Sequence, residues 1–147
     1  MILAPQEDRT FFLTSITWER RFIFASEPHC ELFLDVLRDN RGKQRFALHE
    51  FVLMRDHFHL LLTPAPLVSL EKAMQFIKGG FSYRLRGRPP VWQASFTNHR
   101  VRDLEDYENH REYIRMNPVR ARLAERAEEY PYSSAAGGVR MDPVPRG

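Results

Sequence analysis

The chain has 147 residues, 43% of them hydrophobic, and carries a net charge of +3. That length points to one domain, and that apolar share builds an ordinary core and excludes a disordered chain. No stretch reaches the apolar length of a membrane span, MILAPQEDRT lacks the apolar segment of a secretory signal, and a lone Cys30 excludes an intrachain disulfide or a multi-cysteine zinc site, which fits a reducing cytoplasm.

Along the chain, FFLTSITW (11–18) is β-branched and aromatic and reads as a strand. EPHCELFLDVLRD (27–39) carries Leu32, Phe33, Val36 and Leu37 at helical spacing, with Ser26 as N-cap and Pro28 near the start. RFALHEFVLM (45–54) and HFHLLLTP (57–64) read as a hairpin turning at Arg55-Asp56 and ended by Pro64 and Pro66. A helix follows over about 68–84, with Gly79-Gly80 a point of interruption. VWQASFTNHRV (91–101) holds a short fourth strand, and Asp103 caps a further helix with Asp106 at its third position. Pro118 is expected to end or kink that helix, and PVRARLAERAEEY to restart as a short one. The order is that of an α+β, ferredoxin-like split βαβ sheet with helices on one face and C-terminal helical additions. We expect a single domain over 1–136 and a flexible Gly/Pro/Ser-rich tail over 137–147.

Charge is unevenly placed. Lys78, Arg84, Arg86, Arg88, Arg100 and Arg102 fall in a stretch (78–102) without Asp or Glu. Such a block suits a polyanion, although a plain solvated face has the same composition. Tyr83, Trp92 and Phe96 are interleaved with it; core packing is the favoured reading for Trp92 and Phe96.

RDHFHLLL (55–62) sets His57 and His59 either side of Phe58. Side chains two apart on a strand share a face, so the two imidazoles would stand together and could grip one divalent ion while Phe58 enters the core. Two histidines on a solvated hairpin face are the bland alternative. The other histidines, His29, His49, His99 and His110, show no ligand spacing and read as structural or surface groups.

In EYIRMNPVR (112–120), Tyr113 and Asn117 are spaced i, i+4 and share a helix face. Asn117 could supply a third, hard ligand while Tyr113 attacks. Equally, an Asn before Pro118 suits an N-cap of the next helix.

The combination resembles a known family. His57-Phe58-His59 is a His-hydrophobic-His (HUH) motif, and VWQASF, YIRMNPVRARL and YPYSSA stand in the order found in the REP-associated tyrosine transposases, relatives of the single-tyrosine IS200-like enzymes. The resemblance spans about 10–136. It departs at Arg55, where the family often has proline, and at Arg122, where a glycine is common. The resemblance implies a ferredoxin-like endonuclease and strand transferase for single-stranded DNA. On this chain its histidines fall on His57 and His59, its nucleophile on Tyr113 and its further polar ligand on Asn117. It implies a hairpin substrate with a single-stranded foot, as in palindromic repeats, and a monomer or homodimer acting on DNA in the cytoplasm, away from any membrane.

The expected chemistry is metal-dependent cleavage through a 5′-phosphotyrosine, with Mg²⁺ or Mn²⁺ suited to phosphate oxygens. Two rivals stay open: a non-catalytic nucleic-acid-binding module, and a metal-dependent phosphodiesterase that uses water.

Overall fold

The computed structural model describes residues 9–86 and 90–144. Its elements are β1 (Phe11–Ile16), α1 (Glu27–Gly42), β2 (Phe46–Leu53), β3 (His57–Pro64), α2 (Leu70–Leu85), β4 (Thr97–Arg100) and α3 (Leu104–Arg120). The four strands form one antiparallel sheet in the order β2-β3-β1-β4. This is the ferredoxin-like arrangement: β1 and β2 lie either side of β3, joined by a helical crossover.

Alternation along β3 decides which side of the sheet does what. Phe58, Leu60 and Leu62 enter the main core with Phe33, Val36 and Leu37 of α1 and Met74, Ile77 and Phe81 of α2. Phe24, Phe33, Phe58 and Trp92 pack edge-on or tilted there, Phe33 and Phe58 with centroids 5.0 Å apart. Leu61 points the other way, into a smaller core with Val52, Met54, Tyr107 and Ile114. So α1 and α2 cover one face, and the C-terminal α3 covers the other.

Helix starts follow local chemistry where a side chain can reach. Ser69 accepts from the Lys72 amide, and Asp103 from the Asp106 amide. Ser26 stands at the N-cap of α1 but makes no side-chain cap bond; Pro28 at the helix start fits that end instead. Gly79-Gly80 does not break α2, because the helix packs so close to α1 that a Cβ on Gly80 would lie 3.3 Å from Val36.

Two expectations near the C-terminus change. Pro118 neither ends nor starts a helix; α3 runs through it to Arg120. It sits in the last turn, where the missing N–H costs one bond, and its ring is buried. Asn117 is therefore inside α3 and caps nothing, its carbonyl receiving the Ala121 amide. The helix expected over PVRARLAERAEEY is absent: after Arg122 at φ 60°, that stretch forms just the short 3₁₀ turn Ala127–Glu129.

The segment that follows lines the β2 edge. Leu53 donates its amide to the Tyr132 carbonyl at 2.8 Å, and Tyr130 donates its hydroxyl to the Leu53 carbonyl at 2.6 Å. Within the stretch expected to form a flexible tail, Val139 is buried in the main core, and Asp142 exchanges hydrogen bonds with both the amide and the carbonyl of Leu48. Arg41 pairs with the Asp142 carboxylate at 2.8 Å. These contacts occupy hydrogen-bonding groups that an open edge strand would leave free.

Candidate active site

The register of three strands builds the site under α3. In β1–β3 pairing, Thr14 lies opposite His59 and Ile16 opposite His57. His57 and His59 share the α3 face, their ring centroids 4.9 Å apart. The strand placement on which the sequence argument depended is thus met.

Each imidazole has its Nδ1 engaged. His57 Nδ1 lies 2.6 Å from Asp56 Oδ1. A carboxylate only accepts, so His57 donates there and its Nε2 keeps a free lone pair. His59 Nδ1 lies 2.8 Å from the Thr14 hydroxyl, which can accept in the same way. Asp56 is held in turn by Arg20 at 3.2 Å. Burial pushes the Asp56 pKa up, but the hydrogen bonds and charges of His57 and Arg20 outweigh it and hold the carboxyl below its usual range. His59 is only 6% exposed, and burial, aided by the neighbouring His57, lowers its pKa to about 3. It is neutral at physiological pH, the form that ligates metal.

Tyr113 comes down from α3 onto this pair. Its ring stands edge-on to His59, with centroids 5.4 Å apart, and edge-on to Phe12 at 5.9 Å. The Arg120 guanidinium lies 4.8 Å from the tyrosine ring centroid and donates to the Tyr113 carbonyl. Despite these contacts Tyr113 remains 44% exposed, open to a large substrate.

The direction of α3 places Asn117. Tyr107 near the helix start meets His49, which bonds Thr63 at the far end of β3. Tyr113 meets His59, and Ala121 shares a cleft of about 270 Å³ with His57. The helix therefore runs from the Thr63 end of β3 towards the His57 end. Asn117, half-buried, lies between those last two contacts and one turn beyond Tyr113 on its face.

What sets the rotation of α3 is a buried carboxylate that the sequence reading passed over. Glu50 follows a bulge in β2, where the pairing steps from Leu48↔Leu62 to Glu50↔Leu61. Its carboxylate accepts from Arg111 at 3.0 Å, Arg115 at 3.5 Å and the Ser134 hydroxyl at 2.5 Å. Those arginines flank Tyr113 in sequence, two residues either side. Thr14, Phe12 and Glu50 carry no motif; only Asp56, adjacent to His57, could have been picked out beforehand.

The basic block does not form one surface. Lys78, Arg84 and Arg86 belong to α2 or its end, on the face opposite the histidines. Lys78 donates to the Gln93 and Ser95 carbonyls at 3.1 and 3.3 Å, and burial lowers its pKa. Arg84 is paired with Asp39. Arg86 sits exposed at the left-handed cap of α2. Arg100 pairs with Phe11 in the sheet, so it points away from His59, while exposed Arg102 lies beside Asp106 at the start of α3. Arg88 lies outside the described residues. Trp92 is buried and Phe96 packs against the main core, in keeping with the structural reading.

Comparison with known proteins gives a consistent result. The family profile described as "Transposase IS200 like" matches residues 10–117. A REP-associated tyrosine transposase of Escherichia coli K12 is 25% identical over 126 residues, covering 85% of this chain and 75% of that protein. A provisional REP-associated tyrosine transposase of Haemophilus influenzae is 36% identical over 75 residues, covering 51% of this chain and 41% of that protein. A solved REP-associated tyrosine transposase bound to a REP hairpin superposes with a TM-score of 0.71 at 24% identity, over 93% of this chain and 86% of the other.

Proposed function

The chain belongs to the IS200-like transposase family, a family of DNA-cleaving enzymes, and from that premise we propose that it cuts and rejoins single-stranded DNA at hairpins, with Tyr113 as nucleophile. The observation that carries the reading is the Tyr113 ring against His59, beside two imidazoles whose Nδ1 atoms are both engaged. A hairpin-bound structure of the same fold supports the choice of substrate.

The donor set fits a divalent ion: two imidazoles with Nε2 available, and an amide one turn from the tyrosine. His57, His59 and Asn117 would hold Mg²⁺ or Mn²⁺, which when bound polarises the scissile phosphate and offsets charge developing on it. The chain's own groups do the rest. Asp56 and Thr14 fix the two imidazoles. Glu50, through Arg111 and Arg115, holds α3 so that Tyr113 faces the histidines. The Tyr113 oxygen forms a bond to phosphorus as the bond to the 3′ oxygen breaks. The phenol proton leaves to solvent or a nearby base, and the 3′ oxygen takes one up. The products are a 5′-phosphotyrosine and a free 3′-hydroxyl, and reversal rejoins strands.

The exposed guanidiniums of Arg86 and Arg100 suit phosphate contacts, as does that of Arg102, which is mostly exposed though 3.5 Å from Asp106; Lys78 and Arg84 are tied to internal partners. The working unit is one domain, 1–136 with residues 139–142 packed onto it, acting as monomer or homodimer in the cytoplasm on palindromic repeat DNA.

The test is covalent trapping. Labelled hairpin DNA with a single-stranded foot is mixed with protein and Mn²⁺, denatured, and run beside Tyr113→Phe and His57→Ala/His59→Ala. A metal-dependent adduct absent from both variants is expected. Cleavage that persists in Tyr113→Phe without an adduct assigns the chemistry to water. Binding without cleavage across a hairpin series leaves a binding module.

A further inference from the structure

A second histidine cluster lies across Phe12 from the first. The Phe12 ring stacks on His59 with centroids 5.3 Å apart, and His110 of α3 lies against Phe12 at 4.7 Å. Beyond His110 comes His99 of β4, its ring 4.7 Å away and nearly parallel. Asp106 stands between the two. His99 Nε2 is 2.8 Å from Asp106 Oδ2, and His110 Nδ1 is 3.1 Å from Asp106 Oδ1. One donor atom from each of the three residues lies within 4.8 Å of the others.

The geometry points to a separate transition-metal site formed by His99, Asp106 and His110, of a kind suited to Zn²⁺. Ligands of one tetrahedral ion with bonds of about 2.0–2.1 Å stand about 3.3 Å apart. The His–Asp separations of 2.8 and 3.1 Å are somewhat shorter, being hydrogen bonds that an ion would replace with little movement of the three side chains. Two imidazoles and one carboxylate form a borderline donor set, which favours Zn²⁺, Ni²⁺ or Co²⁺ over Mg²⁺. A water would complete four-coordination.

The carboxylate is placed before any ion arrives. Asp106 is 8% exposed, and its Oδ2 accepts the Arg102 amide at 3.0 Å. Its own amide donates to the capping Asp103 at 2.8 Å. His110 Nδ1 also lies 2.8 Å from the Asp106 carbonyl, which orients the ring; an ion that takes the Nδ1 lone pair replaces that hydrogen bond and leaves the ring proton on Nε2. Sequence spacing hides the set, because His99 sits on an edge strand and the other two on the helix that β4 leads into. An ion there would pin β4 to the first turns of α3, the helix that carries Tyr113.

This inference does not rest on the proposed nuclease activity, and its readout is metal binding alone. Zn²⁺ is titrated against a chromophoric chelator into the full chain, into His57→Ala/His59→Ala, and into that variant with His99→Gln or His110→Gln added. The variant without the first pair is expected to bind one equivalent of Zn²⁺, to melt at higher temperature with Zn²⁺, and to give the visible absorption of four-coordinate Co²⁺. Adding His99→Gln or His110→Gln should weaken Zn²⁺ at least about tenfold. Absence of that equivalent in His57→Ala/His59→Ala, or an affinity unmoved by His99→Gln, overturns the site. His99 is the deciding position because it lies on a four-residue edge strand, so replacing it leaves the core intact even if His110→Gln fails to fold.

Discussion

The Tyr113 ring meets the His59 imidazole edge-on, at 73° between planes and 5.4 Å between centroids, although 54 positions separate them in the sequence. The contact joins α3 to β3, so whatever orients His59 or α3 also orients the tyrosine.

Asp56 and Thr14 should act through the histidines. Asp56→Asn removes the acceptor that fixes His57, and Thr14→Val the partner of His59. Each is expected to raise the Mn²⁺ concentration for half-maximal adduct formation about 10- to 100-fold, with a smaller change at saturating Mn²⁺. An unchanged Mn²⁺ requirement in both variants would remove them from the site.

Glu50 should set the rate more than the affinity. Glu50→Gln keeps the shape but loses the charge that Arg111 and Arg115 share. A small misplacement of a reacting group can cost about 10²-fold. We therefore expect single-turnover adduct formation to slow about 10- to 100-fold while DNA affinity stays within about threefold. A lower melting temperature with a full single-turnover rate would reduce Glu50 to a structural role.

Acid should destabilise the protein well before its carboxylates titrate. His59 binds a proton near pH 6.5 when unfolded but only at about 3 when folded, and His49 is shifted down by burial as well. Between those values the unfolded chain holds more protons, so stability is complete above pH 6.5 and falls as pH drops, by about 1.4 kcal/mol per pH unit for His59, with His49 acting in the same direction. Urea unfolding at pH 7.5, 6 and 5 (round values spanning the onset) should show a slope that shrinks in His59→Gln. An identical slope in the variant would contradict the assignment.

Arg122→Gly should stabilise the native state. Arg122 occupies the left-handed region at φ 60°, just after α3, a conformation that favours glycine. Left-handed backbone costs a side-chain-bearing residue about 1–2 kcal/mol, and the extra freedom of glycine in the unfolded chain returns part of that. A gain of up to about 1 kcal/mol in chemical denaturation is expected; a loss would mean that the Arg122 side chain holds the turn.

The sequence by itself determined the strands, the three helices and which residues of the two candidate pairs share a face. Each rests on a period that a few neighbouring residues define: two for His57 and His59, four for Tyr113 and Asn117. Local rules failed where packing outweighed them. Pro118 lies in the last turn of a helix already held against the sheet, so its missing N–H breaks little. Gly79-Gly80 stays helical within α2, with Gly80 held close against Val36 of α1. The stretch expected to be loose is docked through Val139 and Asp142, which find partners only once β2 exists.

Only the tertiary structure decided how the pieces meet. The β1–β3 register puts Thr14 on His59, the bulge before Glu50 turns a carboxylate toward α3, and β4 brings His99 to Asp106 and His110. The packing of α2 carries Lys78, Arg84 and Arg86 to the face opposite the histidines, while Arg102 stands at the start of α3. These relations join residues from separate elements. No local period encodes them, because shifting one strand by a single residue would leave every helix and strand legible and turn each of these side chains to the opposite face.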